Sequence, residues 1–296
     1  MTGAAPSLED LLALEQLDTL MFRGRSRGGT SVRVFGGEVA AQALVAAGRT
    51  VPADRPVHSL HGYFLRPGDP ATPLLYRVDD VRDGGSFTTR RVSAIQHGET
   101  VFHLAASFHR GDEGFAHQEE TFDAPAPESL PSEEDVMAGA DPATRAWFAA
   151  VRDLFPLEVR FPEELPRLAT LRGERRPPRQ RLWIRSSQPL PEEPLLHACA
   201  ATYASDLFLL STALPPHGAV IGDPNLQFAS LDHAVWFHAP FRADEWLLYE
   251  QESTWAGSGR ALCRGTLFDR TGVHVASVMQ EGMLRTTRGV PALPPR

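Results

Sequence analysis

The chain is 296 residues long, enough for two domains that each bury a core, with 42% hydrophobic and 22% charged residues. A formal net charge of −8 argues against a general nucleic-acid binder, but leaves room for an anionic ligand held by a local arginine cluster. The only cysteines, Cys199 and Cys263, lie far apart, so neither a disulfide framework nor a zinc or other metal site is expected, and a reducing compartment suits them.

Residues 7–20 place leucines at helical spacing behind Ser7 in an N-cap position, which predicts an amphipathic helix. Its Glu9, Asp10 and Glu15 rule against a secretory signal, and no apolar run reaches the ~20 residues of a membrane helix. The terminal Leu293-Pro294-Pro295-Arg296 is not a peroxisomal Ser-Lys-Leu address. A cytoplasmic protein without stable membrane association is the expectation. A basic, glycine-rich stretch follows and includes Arg23–Arg27. Residues 36–51 then read as an alanine-rich helix stopped by Pro52, with a small-residue face suited to close packing on a sheet.

From Val57 the pattern turns to strands. HSLHGYFLRPG, LLYRVDDVRD, SFTTRRVSAIQHG and ETVFHLAASFHR are apolar or alternating, and Gly, Pro and Asp separate them. One helix followed by antiparallel-type strands is an α+β pattern. Residues 113–180, rich in Glu, Pro and Arg, read as a linker with one helix around Pro142–Phe155. Beyond it the pattern returns. A strand over 181–187 leads into an apolar helix, His197–Leu214, closed by Pro215-Pro216. Strands are expected over 226–241, 245–254, 259–269 and 272–282.

The two halves, 8–112 and 181–288, also match in detail. Ser59-Leu60 answers Ser230-Leu231, and Leu74-Leu75-Tyr76 answers Leu247-Leu248-Tyr249. Gly84-Gly85 answers Gly257-Ser258, and Phe102–Ala105 answers Val273–Ala276. Four matches in order are an internal duplication, and a central helix wrapped by a long antiparallel sheet, occurring twice, describes a double hotdog.

The motifs RVFGGEVAAQAL, VHSLHGYFLRPGD, VRDGGSFTTRRVSAIQHGE, YASDLFLL, SLDHAVWFH and VASVMQEGMLR together resemble the acyl-CoA thioesterase II family. The resemblance runs from about residue 8 to residue 287 and is weakest in the linker. It implies a double-hotdog enzyme that hydrolyses fatty acyl-CoA, of medium to long chain, to fatty acid and coenzyme A without a cofactor. It also implies a homo-oligomer, a dimer or tetramer of double hotdogs. The family's water-holding Asp, Thr or Ser, and Gln fall on Asp206, Ser230 and Gln280, with Ser replacing the more usual Thr.

The chemistry is sensible on its own terms. A thioester carbonyl is electrophilic and its thiolate leaves readily, so a positioned, partly deprotonated water suffices. Asp206 lies in an otherwise apolar helix, where a carboxylate is costly unless hydrogen-bonded and where burial would make it a stronger base. Ser230 and Gln280 can orient a water without competing for its proton. Backbone N–H groups near a helix N-terminus are expected to hold the oxyanion. By the repeat, Gln280 answers roughly His109 and the first helix has no matching carboxylate, so one working site per chain is expected. His58 is a candidate for polarising the substrate, and Arg66, Arg90 and Arg91 for pairing with coenzyme A phosphates, against the plainer reading of solvated sheet-edge charges.

Three rivals stand beside this reading. Gly257-Ser258-Gly259 lacks the spacing of a serine-hydrolase elbow and falls in a turn. An enoyl- or hydroxyacyl-CoA hydratase would pair its acid with a histidine, for which His233 is the nearest partner to Asp206. A non-catalytic acyl-CoA-binding protein would keep the fold and lose turnover.

Overall fold

The computed structural model describes residues 7–26, 33–120, 123–138 and 140–286. Arg27 of the basic stretch and the C-terminal residues 287–296 lie outside the described residues. No described helix is long and apolar enough to cross a membrane.

The first helix is shorter than its leucine spacing predicts. Ser7 caps α1 (Leu8–Leu12) in a reciprocal box with Asp10, and the helix stops at Ala13. Residues beyond it form β1 (Glu15–Asp18), antiparallel to β2 (Met21–Gly24) and tied to it by the Glu15–Arg23 ion pair. Leu17, which a continuing helix would bury, is 45% exposed, so no apolar face rewards a longer helix.

The alanine-rich segment forms α2 (Gly36–Gly48), with Ala40, Ala41, Ala43 and Ala46 fully buried. Four strands follow: β3 (Val57–Phe64), β4 (Leu74–Asp83), β5 (Phe87–Gln96) and β6 (Glu99–His109). The segment read as a linker is richer than a spacer. It carries α3 (Glu133–Ala138), α4 (Pro142–Leu154), β7 (Leu157–Arg160) and α5 (Pro166–Leu171), and β7 joins the sheet beside β8 (Arg179–Ser186). The second half continues with α6 (Pro194–Ser205), β9 (Leu226–Ser230), β10 (Asp232–Phe237), β11 (Leu247–Gly257), β12 (Arg260–Phe268) and β13 (His274–Thr286).

All strands belong to one antiparallel sheet whose halves mirror each other. Outward from the central β3–β10 pair run β6, β5, β4, β2 and β1 on one side, and β13, β12, β11, β8 and β7 on the other, with β9 pairing β13. This is the double hotdog, with α2 and α6 as its two central helices. Glycines permit their close crossing. A Cβ on Gly48 would lie 2.5 Å from Leu195, and one on Gly37 would lie 2.5 Å from the Tyr203 carbonyl oxygen.

Strand register refines the repeat. Tyr76 and Tyr249 are the third residues of β4 and β11, pairing with Ala94 and Leu267, and each strand bulges just after Asp80 or Ser253. Following that register, the Arg90–Ala106 pair of the first half corresponds to the Cys263–Gln280 pair of the second. Gln280 therefore answers Ala106 rather than His109. One strand further, Leu60, paired with Ala106, is answered by His233, and Ser230 is answered by Val57 rather than Ser59. Phe102 correspondingly answers Ala276 rather than Val273. The short motifs at Ser59 and Phe102 thus lie two or three residues out of the strand register that relates the halves.

Candidate active site

The helix expected to run from His197 to Leu214 ends at Ser205, and Asp206 is its C-cap rather than an interior residue. Phe208 takes a left-handed backbone (φ 63), which breaks the helix immediately beyond the carboxylate. Side chains satisfy the carbonyls that the helix leaves open. Tyr249 Oη donates to Ser205 O at 2.6 Å, Gln251 Nε2 to Leu207 O at 2.9 Å, and Ser211 Oγ to Phe208 O at 2.6 Å. The chain around Asp206 is thus fixed from β11 and from the following turn.

Asp206 stands where the two central helices meet. The C-terminal end of α6 disfavours an anion, while the N-terminal end of α2 favours one. Gly37 N of α2 donates to Asp206 Oδ2 at 2.8 Å, so a backbone donor of the first half holds the carboxylate of the second. The end of α2 that corresponds to Asp206 carries Gly48 and Arg49, with no acidic group.

Ser230 ends β9 and Gln280 lies on β13. Between β9 and β10 the chain steps at Leu231, pinned by Leu231 N to Glu281 O (2.9 Å) and by Glu281 N to Asp232 Oδ1 (2.6 Å). That step turns the Ser230 side chain to Asp206, its Oγ 3.5 Å from Oδ1. Gln280 Nε2 donates to Asp206 Oδ1 and reaches Ser230 Oγ at 3.1 Å. The structure therefore brings Asp206, Ser230 and Gln280 into one hydrogen-bonded cluster. Gln280 is fully buried, yet its Oε1 has no hydrogen-bond partner among the described residues. A buried acceptor left unmet costs about 1–3 kcal/mol, and a bound water is a group able to donate to it.

His233 is the residue whose place was least legible. It is fully buried on β10, but it does not bond Asp206 as a hydratase-type pair would. Instead Gln280 Nε2 stands between them, 3.2 Å from His233 Nδ1. Burial holds the imidazole below the usual 6.5, outweighing the nearby Asp206 and Asp232 carboxylates.

The other sequence candidates have partners elsewhere. His58 Nε2 bonds Ser107 Oγ at 2.8 Å beside Phe87. Arg66 pairs with Glu99 at 2.9 Å, and Arg91 with Asp79 at 2.9 Å. Arg90, expected as a sheet-edge charge, is 3% exposed and locked to Asp83 and Thr50, which makes it a strut of the first half. Among the described residues, no hydrogen bond or ion pair joins any of the four to the Asp206 cluster. Ser258 has a left-handed backbone (φ 50) in the β11–β12 turn, as expected of a hairpin rather than a nucleophile elbow.

A small, mostly apolar cavity of about 30 Å³ lies near the end of α6, and Asp206, Ser230 and Gln280 do not line it. Trp147, Leu165, Phe208, Leu214 and Val220 line it, with Gln180 and Arg167 among its polar neighbours. Its wall is built partly by the inter-half segment, through α4 and the start of α5.

Along most of its length the chain is similar to known acyl-CoA thioesterases. Residues 150–283 match the family described as acyl-CoA thioesterase, and residues 25–109 match the acyl-CoA thioesterase N-terminal domain. Over 93% of this chain and 88% of the relative, the sequence is 41% identical to acyl-coenzyme A thioesterase 8 of Rattus norvegicus. It is 38% identical to acyl-CoA thioesterase 2 of Haemophilus influenzae, across 96% of this chain and 99% of that one. The crystal structure of an acyl-CoA thioesterase II from Mycobacterium marinum matches at 43% identity with a TM-score of 0.76, covering 96% of this chain and 100% of the other. A hot dog fold protein from Alicyclobacillus acidocaldarius, at 20% identity and a TM-score of 0.76 over 97% of this chain and all of that one, is alike in fold alone.

Proposed function

The chain belongs to the acyl-CoA thioesterase II family and is an acyl-CoA thioesterase, and on that premise we propose that Asp206, Ser230 and Gln280 hold the water that cleaves the thioester. The observation behind this reading is the convergence of Ser230 and Gln280 on the Asp206 carboxylate, beside a buried Gln280 oxygen that has no donor among the described residues. Asp206 takes a proton from the water as its oxygen attacks the thioester carbonyl carbon. The tetrahedral intermediate collapses by breaking the carbon–sulfur bond. The departing coenzyme A thiolate then recovers the proton, leaving free acid and thiol. No acyl-enzyme forms, since the base acts on water and no nucleophilic side chain is required.

We further propose that medium to long acyl chains are the substrates, in keeping with the family to which the chain belongs. Thiol release from a panel of saturated acyl-CoAs, short to long, tests this directly. Rates that climb from short to medium and long chains are expected. A preference for short chains would overturn the substrate range, and binding without thiol release would overturn the hydrolytic reading.

A further inference from the structure

We propose that His233 is a positioning residue for hydrolysis, acting through Gln280 to fix which face of that amide meets Asp206. The proposal rests on the reading of Asp206, Ser230 and Gln280 as the water-holding set, and it extends that set inward by a chain of buried hydrogen bonds.

The chain can be followed donor by donor. Ser205 Oγ donates to Thr202 O at 2.9 Å, which commits its only hydrogen. Toward His233 Nε2, 2.8 Å away, the same hydroxyl can therefore only accept. The ring proton is thereby placed on Nε2, and Nδ1 is left as a bare lone pair. Gln280 meets that lone pair at 3.2 Å, and only its nitrogen end can donate there. With the nitrogen so placed, its two N–H bonds are shared among three acceptors, His233 Nδ1, Asp206 Oδ1 and Ser230 Oγ. Turned over, the amide would set Oε1 against both the imidazole lone pair and the carboxylate.

The first half shows what this position looks like when no water needs holding. Its counterparts of His233 and Gln280 are Leu60 and Ala106, both apolar and buried. Among the described residues of the two halves, a fully buried imidazole–amide pair stands at this position only in the half that carries the carboxylate. Ser205, His233 and Gln280 are all fully buried, so solvent cannot substitute for a lost partner.

The experiment measures kcat, KM and thermal midpoint for substitutions at His233 and Ser205, each made in the wild-type and the Gln280→Ala backgrounds. Gln at position 233 can keep a polar atom near Nε2 but loses the acceptor at Nδ1, whereas Asn can restore an oxygen near Nδ1. His233→Gln is expected to lower kcat about tenfold or more with KM nearly unchanged, and His233→Asn to recover most of it. Ser205→Ala, a loss of one oxygen that spares the packing, should lower kcat in the same sense. In the Gln280→Ala background neither the Ser205 nor the His233 change should lower kcat further, because the amide they orient is gone. Two results would overturn the role of His233: a folded His233→Gln enzyme with wild-type kcat, or a loss of the same factor in both backgrounds. Wild-type turnover in Gln280→Ala alone would instead overturn the catalytic set itself, so the two failures are distinguishable.

Discussion

The backbone N–H of Gly37 donates to Asp206 Oδ2 across 2.8 Å, joining the central helix of one half to the carboxylate of the other. The duplicated halves are therefore unequal but not independent. The second contributes the acidic, hydroxyl and amide groups, and the first contributes the donor that aims the acid.

Gly36 tests that joint. A Cβ at this position would lie 2.8 Å from Asp206 Oδ2 and 3.0 Å from the Phe64 ring. Gly36→Ala should push the carboxylate off its position and lower kcat by up to about 10²-fold, the scale of a misplacement of about 1 Å. Steady-state kinetics with a parallel thermal melt checks it. A fall in melting temperature with kcat unchanged would mean that the contact is structural only.

Ser230 is half-buried and offers one hydroxyl to the cluster. Ser230→Ala removes hydrogen bonding worth about 1 kcal/mol, so kcat should drop roughly five- to tenfold. Ser230→Thr keeps the hydroxyl and should remain active. Comparing kcat for the two variants decides whether the hydroxyl or the small size of serine matters.

Acidification should weaken the fold through its buried histidines. Burial holds His197 and His233 below the ordinary 6.5, so on lowering the pH the unfolded chain takes up protons before the folded one. Their contribution to stability is complete above pH 6.5 and is lost as pH falls below it toward the folded values. Thermal midpoints between about pH 7.5 and about pH 5.5 should decline, and His233→Gln, lacking the titrating ring, should decline less. An equal decline in both proteins would remove His233 from the explanation.

Much of this was readable from residue order. The paired Leu-Leu-Tyr segments and glycine turns announced two copies of one unit, and alternation marked the strands β3 to β6 and β11 to β13. Asp206 was found by its YASD motif, but its setting was not. Leucine-rich continuity suggested helix through Leu214, while the left-handed Phe208 and the carbonyl partners Tyr249 and Gln251 end it at Ser205. Those partners are distant in sequence, and local propensity cannot register them. The β1–β2 pair and β7 are four residues each and gain their order from neighbouring strands. His233 was visible only as a possible partner for Asp206. Its bond to Gln280 depends on a ring proton placed by Ser205, and no spacing rule encodes that.

The most direct measurement is kcat and KM for Asp206→Asn on a saturated acyl-CoA, followed by thiol release. Asparagine keeps the size and the acceptor for Gly37 N–H but cannot take a proton from water. A fall in kcat of about 10²–10⁴-fold with KM close to wild type is the predicted result. A folded Asp206→Asn enzyme that turns over at the wild-type rate would contradict it.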